Sequence, residues 1–257
     1  TRTGSFNFTN DSFPAGIAMS GDGSRFFIIG GNSDRVYQFA TSSKDSISNP
    51  TFQKDEWIGG IEGFPRDIEI SPDGSKLYII GVLQDSIIEF TLGSTNDIGG
   101  LSSRETGRLN VSSQDGSPES LSIANDGSRA YIVSAAASGR VHQYFMSTPF
   151  DVDSGSYNGR SDIGIAFGVH GGEGDAKAIA FSKDGSKAYI AGLQTDEIHQ
   201  YTVVNPGDIR DMSYDNKSFE DGANVNNPHG IDFNSDRTRM YVTYTGGSGN
   251  NIVEYSV

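Results

Sequence analysis

The sequence predicts an all-β fold: a five-bladed β-propeller with four antiparallel strands per blade, its N-terminal strand closing the last blade. Three observations carry this reading. A unit of strand, Asp-Gly turn, strand, polar loop and strand recurs five times along 257 residues. No stretch shows the 3.6-residue period of an amphipathic helix. The last unit stops after its third strand, while the N-terminus supplies one strand too many, and pairing the two removes both open edges.

The clearest unit runs from Gly63 to Leu92, with DIEIS, the turn PDGS, KLYII, the loop GVLQDS and IIEFTL in succession. The other copies begin at Phe13, Ser117, Asp175 and Asn227. Their first strands align on Ile17, Ile68, Leu121, Ile179 and Ile231, in steps of 51, 53, 58 and 52 residues. The second strands align on Phe27, Tyr78, Tyr131, Tyr189 and Tyr241, and the third on Gln38, Glu89, Gln143, Gln200 and Glu254. Three registers in agreement, with four strands in each period, describe a propeller blade. Both faces of the middle strands are apolar, as Leu77, Tyr78, Ile79 and Ile80 show, which suits a sheet covered on each side by a neighbour. A weaker fourth strand is expected at DEWIGG (55–60), GRLNVSS (107–113), DIGIAFGV (162–169) and KSFEDG (217–222). The blades then span about 13–60, 64–113, 117–169, 175–222, and 227–257 plus 1–9, in one domain.

The pattern P-x-x-I-x-x-S-x-D-G-S-K-x-Y-I-x-G, followed by a polar loop and V/I-x-Q-Y, resembles the YVTN/lactonase-like β-propeller repeats of bacteria, archaea and phages. STPFDVDSGSY (147–157) and NVSSQD (110–115) resemble repeats of large marine bacterial and phage proteins. The resemblance covers the whole chain and implies a blade rather than a reaction. The five blades counted here depart from the seven that the resemblance to a lactonase implies.

Nineteen basic residues face 33 acidic ones, for a net charge of −14. Such a surface repels phosphate backbones and anionic lipid, which argues against nucleic acid and membrane surfaces as partners. No apolar run is long enough for a membrane span. With no cysteine there is no disulfide, thiol nucleophile or thiolate metal ligand. The start at Thr1 without methionine suggests a processed or excised module. Extracellular, cell-surface or virion placement, as a monomeric module within a longer chain, is the expectation.

Features present in every blade are read as structural. The Asp-Gly turns (Asp22-Gly23, Asp73-Gly74, Asp126-Gly127, Asp184-Gly185) let glycine take a positive φ while Asp accepts hydrogen bonds from the turn. The fifth copy, Asp236-Arg237-Thr238, lacks the glycine and is expected to differ locally. The Gln/Glu series on the third strand is expected to tie blade to blade or to backbone. His142 and His199 fall at packing positions, and Trp57 is expected to pack in an outer strand. His170 sits in the Gly-rich HGGEGD loop, which has no following helix to receive phosphate.

Function in a propeller gathers where the repeats differ at one end of the channel. Two residues before the anchor stand Ala15, Arg66, Glu119, Lys177 and His229; one before, Gly16, Asp67, Ser120, Ala178 and Gly230; one after, Ala18, Glu69, Ser122, Ala180 and Asp232. One reading is a ligand pocket in which Arg66, Asp67, Glu119, Lys177 and His229 bind, with Glu119, Asp232 and His229 as the catalytic candidates. The other is a solvated rim of mutually paired charges. No cofactor is expected, or else a calcium ion held by Glu69 or Glu119 with Asp232. No G-x-S-x-G, P-loop, H-E-x-x-H or EF-hand spacing is present. The loops between strands two and three are short, polar and poor in aromatics, which weighs against a glycan-binding face. A non-catalytic binding or scaffold module for a protein or glycan partner is therefore expected, with a lactonase-like hydrolase as the alternative.

Overall fold

The computed structural model describes residues 1–134, 139–162, 175–220, 226–246 and 250–257. The described strands form five four-stranded antiparallel sheets arranged as a five-bladed β-propeller. Blade 1 is β2 (Pro14–Met19), β3 (Arg25–Gly30), β4 (Arg35–Ala40) and β5 (Thr51–Trp57). Blade 2 is β6 (Pro65–Ile70), β7 (Lys76–Gly81), β8 (Ser86–Thr91) and β9 (Glu105–Asn110). Blade 3 is β10 (Pro118–Ile123), β11 (Arg129–Ser134), β12 (Arg140–Met146) and β13 (Gly155–Asp162). Blade 4 is β14 (Ala176–Phe181), β15 (Lys187–Gly192), β16 (Ile198–Asn205) and β17 (Asp208–Phe219). Blade 5 is β18 (Pro228–Phe233), β19 (Arg239–Tyr244) and β20 (Asn251–Ser256), completed by β1 (Arg2–Asn7). β1 pairs with β20 from Arg2 opposite Tyr255 to Asn7 opposite Asn251, the closure expected from the sequence.

Apolar residues on both faces of the middle strands have a simple consequence. The hydrophobic interior divides into five clusters, one at each blade–blade contact. Phe26, Phe39, Ile47 and Tyr241, for instance, pack together across the boundary between blades 5 and 1. Across four of the boundaries a third-strand side chain adds a polar tie. Gln38, Glu89, Gln143 and Glu254 accept the backbone N–H of Ile98, Val152, Ile209 and Ile47 of the next blade, at 3.0, 3.1, 3.0 and 3.1 Å.

Two expectations need correction. The outer strands lie earlier than placed: β5 ends at Trp57 and β9 at Asn110, β13 begins at Gly155, and β17 begins at Asp208. The remainder of the expected third and fourth segments, 163–169 and 221–222, falls outside the described residues. In blades 1 and 2 what misplaced the strand is the apolar residue that follows it. Ile58 and Val111 are fully buried and donate their N–H to Asp34 and Asp85 of the second-to-third-strand loops, both at 2.8 Å. They plug the sheet end rather than extend it. The strands themselves are half-solvated and carry little period-2 contrast.

The second correction concerns the fifth turn. Gly23, Gly74, Gly127 and Gly185 have φ of 69–70°, and Arg237 adopts 61° in the same place. The backbone is unchanged, with Asp236 Oδ1 accepting from Thr238 N at 3.1 Å and Oγ1 at 2.6 Å. Holding a non-glycine residue left-handed costs on the order of 1 kcal/mol, which the Asp–Thr bonds offset.

Candidate functional site

Every first strand opens with the same irregularity. The pairing register shifts between Pro14 and Gly16, Pro65 and Asp67, Pro118 and Ser120, Ala176 and Ala178, and Pro228 and Gly230. The residue left unpaired is Ala15, Arg66, Glu119, Lys177 or His229. A bulge re-aims the side chain it carries, and here it turns four polar side chains toward the upper mouth of the channel. Proline at the strand start costs no ladder bond at four of the five positions.

The structure brings these side chains together. Arg66 Nε lies 3.5 Å from Glu119 Oε2, and Lys177 Nζ lies 3.0 Å from Glu119 Oε1 and 2.9 Å from Asp175 Oδ1. The Arg66 guanidinium stands 5.6 Å over the Phe13 ring, which meets the His229 ring edge-on at 4.7 Å. The result is a chain of contacts, His229–Phe13–Arg66–Glu119–Lys177, with one member from each blade. Blade 1 contributes Phe13 where the repeat alignment offered Ala15, which is buried. Glu119 is 8% exposed, while the side chains of Arg66 and Asp175 are 28% and 47% exposed. His229 Nε2 pairs with Thr245 Oγ1 at 2.9 Å. Burial first, then the charges of Lys177 and Arg66, push its pKa down to about 4. Neutral at physiological pH and already hydrogen-bonded, it is a poor general acid.

Asp67, Glu69 and Asp232 lie elsewhere. The first strand of each blade exposes an unpaired edge to the channel, and its N–H groups must find acceptors away from water. Asp67 Oδ2 accepts from Ser120 Oγ at 2.5 Å and from Leu121 N at 3.0 Å, and Asp232 Oδ2 accepts from Met19 N at 2.6 Å. Glu69 Oε1 accepts from Ser122 Oγ and Ile123 N, both at 3.3 Å. In blade 3, Ser120 Oγ does the same for Ile179 N at 3.2 Å. Burial raises Asp67 to about 7 and Asp232 to about 6, and Glu69 is raised well above the carboxylate range by burial and by Asp232 and Asp67.

Asp232 sits three residues beyond His229, roughly 10 Å down the strand. Together with Glu69 it faces a lower cavity of about 410 Å³ near the Asp-Gly turns, also lined by Lys183 and Arg237. The residues expected to share one pocket are thus divided between two mouths. Among the described residues no group of three or more His, Asp or Glu side chains is arranged to hold a metal ion. His142 and His199 are buried at packing positions, and His170 lies outside the described residues.

Three features escaped the sequence reading. Arg237 projects from its left-handed turn over the Phe233 ring at 5.4 Å, and its Nη2 donates to Asn125 Oδ1 at 3.1 Å. The missing glycine was the available clue. Asp11, Glu62 and Asp115 staple the upper loops: Glu62 alone accepts from the N–H of Phe64, Leu83 and Gln84 at 3.0, 3.0 and 3.1 Å. Their shared spacing before the first strand, in DSFP, EGFP and DGSP, was legible. Trp57 is the third, and here the expectation of packing is wrong. It is 52% exposed, with Phe64 at 56% and Leu83 at 54%. A Cβ on Gly59 would lie 2.7 Å from the Trp57 indole, and one on Gly63 3.0 Å from Leu83 Cδ2, so these side chains lie over a strip of bare backbone.

No family model matches the chain, and no curated protein matches it. Among solved structures, the chain is similar to a candidate 6-phosphogluconolactonase from Bacteroides uniformis, at 15% identity and a TM-score of 0.50. The match covers 79% of this chain and 54% of that one, so the chain spans about half the length of the protein it resembles. At this identity the likeness is one of propeller fold alone.

Proposed function

We propose that this propeller is a non-catalytic binding module that presents its upper face to a protein or glycan partner. The observation that carries the proposal is the exposed strip of Trp57, Phe64 and Leu83. Three large apolar side chains over half exposed, with the indole resting on Gly59 and the Leu83 side chain on Gly63, offer their outward surfaces as a platform for a sugar ring or an aliphatic side chain. The upper mouth supports the same reading, because Glu119, Lys177 and Arg66 are engaged with one another and His229 is held neutral. The test compares the protein with Trp57→Ala and Phe64→Ala on a glycan array and against immobilised candidate proteins. Retention lost in both variants at an unchanged melting temperature is expected; ligands held equally by all three proteins would defeat the proposal.

A lactonase-like hydrolase is the second reading, favoured by one observation. Asp232, raised by burial to about 6, and Glu69, raised well above the carboxylate range by burial and by Asp232 and Asp67, face a cavity that Arg237 and Lys183 also line. Carboxyl groups poised in this way are general-acid candidates. Lactone hydrolysis abolished by Asp232→Asn would move the assignment there.

A further inference from the structure

Among the described residues, the loop between the second and third strands carries a left-handed aspartate in three blades: Asp34 (φ 54°), Asp85 (45°) and Asp196 (58°). In blade 4 the fold uses it. Asp196 Oδ1 accepts at 2.9 Å from the backbone N–H of Asn227, the residue before the first-strand proline of blade 5. In the other two cases the matching N–H is already taken. Phe64 N donates to Glu62 Oε1 at 3.0 Å and Ser117 N to Asp115 Oδ1 at 2.9 Å, each to the acid two residues earlier. Blade 5 has Val225 at that position. The stapling acids thus release the loop aspartates. Among the described residues the carboxylates of Asp34 and Asp85 make no hydrogen bond and no ion pair.

Both released aspartates adjoin the exposed apolar strip. The Asp34 carbonyl accepts at 2.8 Å from the N–H of Ile58, the residue after Trp57, and Asp85 lies two residues beyond Leu83. Behind Asp34 stand two more acids, the buried Glu62 and Asp11. Their donors are backbone N–H groups and the Ser33 hydroxyl, and among the described residues no cation pairs with either. Burial, then the charges of Glu62 and Asp11, raise the pKa of Asp34. Arg35, the adjacent cation, faces Trp57 in the strand pairing and is already paired with Asp55. The strip therefore joins an apolar platform to carboxylates that lack a counter-charge.

We propose that this strip takes a basic segment of a partner protein, with an arginine laid against the Trp57 indole and paired with Asp34, and an aliphatic neighbour covering Leu83 and Phe64. This assignment rests on the upper-face reading and, within it, selects a protein over a glycan. A guanidinium carries donors and no acceptor, which matches carboxylates without partners, whereas sugar hydroxyls bring acceptors that need donors in return. Its plane stacks on an indole, and it gives up water more readily than an ammonium. A net charge of −14 draws a basic partner in and repels a second copy of this chain.

Trp57 is the only tryptophan, so its emission reports on the site directly. The test titrates the full chain with a synthetic peptide of alternating arginine and leucine at physiological salt and follows that emission. A saturable change is expected, with affinity weakened roughly tenfold by Asp34→Asn, which tolerates the left-handed turn. Lysine in place of arginine should weaken it several-fold. Glu220→Gln removes the same charge from an exposed residue of blade 4 and should leave the affinity within about twofold. No saturable change overturns the proposal. So do equal losses in Asp34→Asn and Glu220→Gln, since the attraction would then be general to an acidic surface. Glycans retained through Trp57 and Phe64, with no response to the peptide, would overturn this choice of partner and leave the upper-face reading standing.

Discussion

At the scale of single residues, buried ionisable groups of opposite sense define how the protein should answer to pH. His229 has a folded pKa of about 4 against an ordinary value near 6.5. Below pH 6.5 the unfolded chain takes up a proton that the folded chain refuses, so stability is lost as pH falls through that window. Asp67 and Asp232, raised to about 7 and about 6, act in reverse. The stability they contribute is fully present below pH 4 and is lost as pH rises through 6 and 7. Asp184 and Asp215, lowered to about 2, enter only under stronger acid. In the unmodified protein the histidine and the carboxyls largely oppose each other between pH 4 and 7. His229→Gln keeps a partner for Thr245 and removes one side of that balance. Its melting temperature relative to the unmodified protein should climb as pH drops from 6.5 to 4. By itself the variant should melt several degrees higher at pH 5 than at pH 7.5. A pH-independent difference between the two proteins would show that His229 is not held neutral.

At the scale of elements, ring closure rests on β1. It covers the free edge of β20, seats Phe8 in the cluster between blades 5 and 1, and brings Thr3 Oγ1 within 2.8 Å of Glu254 Oε1. Removing residues 1–9 should lower the melting temperature by roughly 10 °C or more and leave an edge strand prone to aggregation. A synthetic peptide of those residues should restore part of the loss in a concentration-dependent way, by mass action. Unchanged melting on truncation would mean that closure adds no stability. Blade number and first-to-third-strand registers were legible in the sequence because the unit is written five times in apolar residues and turns, and closure because the last unit lacks the one strand that the N-terminus has in surplus. The outer strands were not, since a half-solvated strand has weak alternation and the buried Ile58 and Val111 beyond it imitate strand residues. The site was legible in part. Arg66, Glu119, Lys177 and His229 stood out as a symmetry-breaking column, and a bulge does bring them to one mouth. Sequence position alone did not show that Glu69 and Asp232, three residues further along, open at the other end. Nor could it show that Trp57 points outward, because strand register decides that and Trp57 is the last residue of a strand whose boundaries were themselves displaced.

At the scale of the whole molecule, five similar blades carry a net charge of −14 on one ring. Like charges at that density repel one another and destabilise the compact state, and screening relieves this within a few hundred millimolar salt as the Debye length shrinks. The pairs available to offset it are mostly half-exposed, such as Lys54–Asp97 and Lys187–Asp215, and contribute about 1 kcal/mol or less each. The melting temperature should therefore rise by several degrees on adding sodium chloride and then level off. Calcium chloride at matched ionic strength should do no more. The turn carboxylates are engaged by their own loops, as when Asp22 Oδ1 accepts from Ser20 Oγ, Ser24 N and Ser24 Oγ. Glu69 and Asp232 accept from the inner-strand edges. A calcium ion would have to compete with the backbone N–H and hydroxyl donors that these carboxylates already serve. A calcium shift well beyond the sodium one, reversed by chelation and lost in Asp232→Asn, would show instead that the lower mouth is an ion site, and would give the hydrolase reading the stronger claim.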